Sequence, residues 1–167
     1  SENGLSDNEV TSVIQDKQGY LWIGTKSGLN RYDSRDFYLF RHKENDSTSI
    51  CGDHITCLEI DDDSLLWIGT ATSGLSCYNF RTGKFRNYNA GNSSLPNNNI
   101  VDLAFEKEKK TLYIGCNTAT TCMFNTSTGK ITLFPSVGGW KNRTAWDIEV
   151  YGKNTYLALQ SMPLGKL

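Results

Sequence analysis

The sequence predicts an all-β protein, a β-propeller fragment of about three and a half four-stranded antiparallel blades. Three observations carry this. First, the stretch Gly19-Tyr20-Leu21-Trp22-Ile23-Gly24-Thr25 returns as Leu65-Leu66-Trp67-Ile68-Gly69-Thr70, then in weaker form as Thr111-Leu112-Tyr113-Ile114-Gly115 and Thr155-Tyr156-Leu157-Ala158-Leu159. Second, the apolar residues Val10, Ile55, Ile100 and Ala145 open the corresponding units, each 45 residues from the next. A repeat of about 45 residues rich in short strands has the size of one propeller blade. Third, Asn, Gly, Ser and Thr are abundant while Pro occurs only 3 times, a composition suited to many hairpins and few rigid linkers.

Blade 1, residues 8–43, follows a lead-in over residues 1–9. Val10 to Gln15 reads as a strand and Asp16-Lys17-Gln18-Gly19 as a turn. Tyr20 to Thr25, Leu29 to Asp33 and Phe37 to Arg41 are the next strands, joined by tight polar turns into a meander. A connector without clear period leads to blade 2, residues 53–89, with strands Ile55 to Ile60, Leu65 to Thr70, Leu75 to Tyr78 and Phe85 to Tyr88. Its turn Arg81-Thr82-Gly83-Lys84 returns as Ser127-Thr128-Gly129-Lys130, where Gly supplies the positive φ of a hairpin turn. Blade 3, residues 98–135, has strands Ile100 to Phe105, Leu112 to Cys116, Cys122 to Phe124 and Ile131 to Phe134. A partial blade 4, residues 144–160, holds Ala145 to Val150 and Thr155 to Leu159. The remaining tail is too short for two more strands.

The second strand of each blade is apolar on both faces, because alternate residues of Tyr20-Leu21-Trp22-Ile23-Gly24 point to opposite sides. A sheet stacked between two other sheets has that environment. The Trp fills the space between sheets, and the Gly admits a close neighbour.

The chain has 167 residues and a formal net charge of -1, with no basic stripe, so nucleic acid is not expected as a partner. No apolar run reaches the roughly 18 to 20 residues of a membrane span, so no membrane contact by this segment is expected. The N-terminus, Ser1-Glu2-Asn3-Gly4, is polar, so no signal peptide is expected within this segment. The five cysteines contain no C-x-x-C pair, which weakens a zinc or redox reading. Cys116 and Cys122 flank a hairpin tip and could form a disulfide, but small buried residues are the preferred reading.

These motifs resemble the two-component regulator propeller repeat. They include Asn8-Glu9-Val10, Asp16-Lys17-Gln18-Gly19, Leu21-Trp22-Ile23-Gly24-Thr25 and Gly28-Leu29-Asn30-Arg31-Tyr32-Asp33. Blade 2 keeps Trp67-Ile68-Gly69-Thr70, Gly74-Leu75 and Tyr78. The resemblance is specific in blades 1 and 2, partial in blade 3 and weak in blade 4. It implies a large seven-bladed propeller in the periplasmic sensor region of a hybrid two-component histidine kinase of the Bacteroidetes type, with many members responding to oligosaccharides. Seven blades would need roughly 315 residues, so the chain reads as an arc. The remainder of the propeller, or a second copy of the chain, is then the expected partner beside an oligosaccharide.

No catalytic apparatus, metal-ligand set or cofactor is expected. His42 and His54 are the only histidines, with no partner at ligand spacing. Asp61-Asp62-Asp63 reads as a solvated turn. Ligand binding is expected at the channel mouth, on loops 43–54, 89–99, 135–144, 25–28, 70–74 and 116–121. Trp140, Asn142, Arg143 and Trp146 stand out there, with Lys141, and His54 lies nearby. An aromatic ring covers the apolar face of a sugar while Asn and Arg take its hydroxyls. The competing reading has both Trp capping a hydrophobic blade end. Alternatives for function are a propeller-type lyase or hydrolase fragment and a protein–protein assembly module.

Overall fold

The computed structural model describes residues 4–62, 64–117, 121–135, 145–151 and 154–159, and all regular structure among them is strand. Blade 1 is β1 (Val10–Gln15), β2 (Leu21–Thr25), β3 (Gly28–Tyr32) and β4 (Phe37–Phe40). Blade 2 is β5 (Ile55–Asp61), β6 (Leu65–Thr70), β7 (Leu75–Asn79) and β8 (Lys84–Tyr88). Blade 3 is β9 (Ile100–Glu106), β10 (Thr111–Cys116), β11 (Cys122–Asn125) and β12 (Lys130–Leu133). The partial blade 4 is β13 (Ala145–Tyr151) and β14 (Asn154–Leu159). Each of the first three is an antiparallel meander in chain order, and the fourth is a two-stranded pair. The expected strands are present with their ends shifted by no more than a residue.

The blades stack face to face. Trp22 of blade 1 packs against Tyr78 and Phe80 of blade 2, with ring centroids 5.1 and 5.8 Å away. Trp67 of blade 2 packs against Phe124 of blade 3 at 5.0 Å. In blade 3 the shorter Tyr113 sits in a smaller cluster with Ala104 and Ile148. Each motif aromatic therefore faces the next blade, and both tryptophans are 1% exposed. Removing a side chain of this kind from such a seam costs about 3–5 kcal/mol.

The motif glycine serves the same seam. A Cβ built on Gly24 would lie 2.7 Å from Ile55 Cγ2, and one on Gly69 would lie 2.8 Å from Ile100 Cγ2. The first residue of blade 2 and that of blade 3 thus each press into a hole in the blade before it. At the outer hairpins, Gly83 and Gly129 take φ of 67° and 72°, the left-handed conformation their turns require.

A register shift recurs in the innermost strand of every blade: between Val10 and Ser12, Ile55 and Cys57, Ile100 and Asp102, and Ala145 and Asp147. One extra residue stands at each shift, namely Thr11, Thr56, Val101 and Trp146, in the manner of a β-bulge. The five thiols are free; Cys57, Cys77, Cys116 and Cys122 are buried and Cys51 is half-buried. No disulfide joins Cys116 to Cys122, and burial as small residues accounts for them. No helix among the described residues is long and apolar enough to cross a membrane.

Candidate functional site

The connectors between blades and the turns after β2 and β6 share one end of the arc. There the motif threonine ties the turn: Thr25 Oγ1 donates to Gly28 O at 2.9 Å and Thr70 Oγ1 donates to Gly74 O at 2.7 Å. The connectors are fastened to the same strands. Ser6 N donates to Asn30 Oδ1 at 3.1 Å, and at the equivalent place in blade 2 Cys51 N donates to Ser76 Oγ at 3.0 Å. Ile50 and Leu95, at 0% and 3% exposure, plug the seams beneath. The connector 43–54, which has no sequence period, is therefore anchored to blade 2 through Cys51 and to the seam through Ile50. The backbone carbonyl of His54 accepts from Ala71 N at 3.0 Å, and its side chain is exposed at this end, just before β5.

Trp140, Asn142 and Arg143 lie outside the described residues, as does Lys141. Trp146 lies on β13, where its backbone is the extra residue at the register shift; its side chain is outside the description. The 45-residue spacing separates the two tryptophans. Trp140 stands 45 residues after Leu95, which stands 45 after Ile50, the two buried plugs. Trp146 instead stands at the bulge position filled by Thr11, Thr56 and Val101, which are exposed or half-buried in their blades.

Two sets of acidic residues escaped the reading of the sequence. Asp16, read as a turn residue, and Asp61, read as part of a solvated turn, are 7% and 4% exposed. Asp16 Oδ2 accepts from Trp22 Nε1 at 2.7 Å while its Oδ1 accepts from Gln18 N and Tyr20 N, both at 3.0 Å. Asp61 does the same for Trp67 Nε1 at 3.2 Å and Leu65 N at 2.9 Å. The signal was present as an Asp six residues ahead of each motif Trp. The second set sits on the innermost strands. Asp102 Oδ2 accepts from Ile148 N of the next blade at 2.5 Å, and Glu59 accepts from the backbone of Phe105, also one blade on. Burial is the main cause that lifts Glu59 to about 7 and Asp102 to about 6, with Asp147 and Glu149 adding repulsion. Among the described residues no group of three or more His, Cys, Asp or Glu is placed to hold a metal ion.

An arc of stacked four-stranded blades with a recurrent seam aromatic defines the β-propeller class. Residues 4–27 match the family model described as two component regulator propeller. Over 48 residues, 29% of the chain, the sequence is 48% identical to Histidine kinase P4 of Formosa agariphila, of which this covers 4%. The backbone is similar to the extracellular domain of the hybrid two-component system BT3049 from B. thetaiotaomicron, with TM-score 0.80 and 29% identity over 89% of the chain and 21% of that domain. It also resembles the computationally designed Ika4 protein, with TM-score 0.64 and 15% identity over 92% of the chain and 88% of Ika4, a likeness of fold alone. The resemblance to two-component regulator propeller repeats is thus borne out. The chain spans a small fraction of the natural relatives it matches.

Proposed function

We propose that the chain is a non-catalytic segment of the ligand-sensing propeller of a hybrid two-component sensor kinase, lying outside the cytoplasm, in the periplasm, and answering to an oligosaccharide. The observation that carries this reading is the backbone match to the extracellular domain of such a system. The connector end of the arc supports a binding role, because its loops are pinned by the hydrogen bonds of Thr25, Thr70 and Ser76 and so present a preorganised surface. Trp146, Asn142, Arg143 and His54 are its contacts with the sugar. Trp146 is the strongest of them, since its repeat position is not one that the seams bury. Trp140 shares the repeat position of the plugs Ile50 and Leu95, so the part proposed for it is packing, not sugar contact.

The remainder of the propeller is the partner of blade 1. Val10 and Val13 are 47% and 55% exposed, whereas their repeat equivalents Ile55, Leu58, Ile100 and Leu103 are at most 7% exposed beneath the preceding blade. A blade with Gly at the motif position fits over Val10 as Gly24 fits over Ile55. The test is a thermal-shift screen of oligosaccharides on the complete propeller, with Trp146→Ala as the control variant. A shift that the variant loses, without product formation, supports the reading. Turnover of the sugar sinks it in favour of a propeller enzyme.

A further inference from the structure

At the opposite end of the arc, where the hairpin turns lie, blades 1 and 2 leave an open cleft of about 440 Å³ lined by Gln18, Ser64, Asn79, Phe80 and Arg81. This volume falls within the range of small-ligand sites. The lining comes from three hairpins: Gln18 from the β1–β2 turn, Ser64 from the β5–β6 turn, Asn79 from the end of β7, and Phe80 and Arg81 from the turn that follows it. The turns are braced. Phe80 N donates to Ser64 O at 3.2 Å, and Asn79 Oδ1 accepts from Arg81 N and Thr82 N at 3.0 and 2.9 Å. With Oδ1 so engaged, Asn79 has its Nδ2 donors left for a ligand. Phe80 is half-buried against Trp22 and Tyr78, which fixes its ring.

The cleft belongs to this seam in particular. In the next blade the positions of Phe80 and Arg81 are taken by Thr126 and Ser127. The matching gap between blades 2 and 3 is bridged by ion pairs from Asp62 to Lys107 and Lys110. Between blades 1 and 2, among the described residues, no carboxylate lines the space, and Asp16 and Asp61 are engaged by the indole N–H groups of Trp22 and Trp67. What remains is a fixed aromatic ring, an exposed guanidinium, two carboxamides and a hydroxyl.

We propose that this cleft binds a carboxylate-bearing sugar, an inference that rests on the sugar-sensing reading and adds a second site to it. The planar guanidinium of Arg81 takes the carboxylate in a two-pronged contact. Phe80 lies under the apolar face of the pyranose, and Gln18, Asn79 and Ser64 take its hydroxyls.

The test is calorimetric titration of the chain with tri-galacturonate, monomeric galacturonate and the neutral trisaccharide cellotriose. Tri-galacturonate binds at least tenfold more tightly than cellotriose. Arg81→Ala, at an exposed turn position, weakens tri-galacturonate about tenfold with an unchanged circular dichroism spectrum. Arg81→Lys restores part of the loss, because a single ammonium gives up the two-pronged contact. Equal affinity for monomer and trimer places the recognised unit within one sugar and supports the cleft as its site; tighter trimer binding supports it equally, with the ligand a unit of a chain. Absence of binding by both acidic probes overturns the proposal, as does acidic-sugar binding that survives Arg81→Ala. The sensor reading stands or falls separately, on the thermal-shift screen of the complete propeller and the Trp146→Ala control.

Discussion

The indole nitrogen of Trp22 donates to Oδ2 of Asp16 at 2.7 Å, inside the seam between blades 1 and 2. The pair is rebuilt as Trp67 with Asp61 in blade 2. In blade 3 both members change together, and Tyr113 donates its hydroxyl to Glu106 Oε2 at 2.8 Å. The shape of the aromatic and the reach of the acid vary while the buried hydrogen bond remains. An indole N–H left without an acceptor in such a seam is costly, which explains why acid and aromatic travel as a unit.

Asp61→Ala removes that acceptor and frees the turn N–H of Leu65 as well. The expected loss is about 2–4 kcal/mol, the sum of an unsatisfied buried donor and a broken turn. Asp61→Asn, which keeps an amide oxygen, loses less. Urea denaturation followed by Trp fluorescence checks this; a midpoint for Asp61→Ala equal to that of the parent chain contradicts it.

Gly24→Ala drives a methyl group to 2.7 Å from Ile55 Cγ2, so one of the two blades must shift. The expected cost is about 1–3 kcal/mol. Ile55→Ala leaves a cavity of its own, yet the double variant is less destabilised than the two single losses added together, because the clash has gone. Simple additivity in the double-mutant cycle rules out the knob-in-hole account.

Glu59 and Asp102 give a pH dependence whose sign follows from their burial. In the unfolded chain they titrate near their ordinary values of 4.5 and 3.8; in the fold they titrate at about 7 and about 6. Over the interval between, the folded chain holds protons that the unfolded chain has released, so stability falls as pH rises. The contribution is fully present below about pH 4 and lost by about pH 7. Among the described residues the charged groups that act on them are Asp61, Asp147 and Glu149 and each other, all acidic and all in the same direction. Melting temperature between pH 5 and 7.5 declines in the parent chain and declines less in Glu59→Gln; an identical slope in the two contradicts this assignment.

Burial pushes the thiols of Cys57 and Cys77 up to about 12 and raises that of Cys51, while a hydrogen bond with Cys116, with burial second, raises that of Cys122. Little thiolate exists at pH 8, and a thiol reacts through its thiolate. Iodoacetamide at that pH is expected to modify the native chain slowly and all five cysteines rapidly after denaturation. Fast labelling of Cys57 in the folded chain, located by peptide mass spectrometry, disproves the burial.

The blade count, the strand order and the role of the motif aromatic were legible in the residues, since a 45-residue period and an apolar second strand admit few arrangements. The acid partners Asp16 and Asp61 were hidden because an Asp opening a short polar turn is explained on local grounds, and the turn is real. Its other oxygen reaches an indole that is close only after the hairpin folds. The plugs Ile50 and Leu95 were hidden in connectors that lack strand periodicity, although they too repeat after 45 residues.

Local pattern by itself determined that these residues form hairpins, because alternation and turn chemistry act over a few neighbours along the chain. Only the tertiary structure decided which glycine receives which isoleucine, which carboxyl group loses its water, and that a cleft with Phe80 and Arg81 remains open between blades 1 and 2 while Asp62 closes the next. Those outcomes depend on how one sheet sits upon another, and the energies involved come from contacts between residues far apart in sequence.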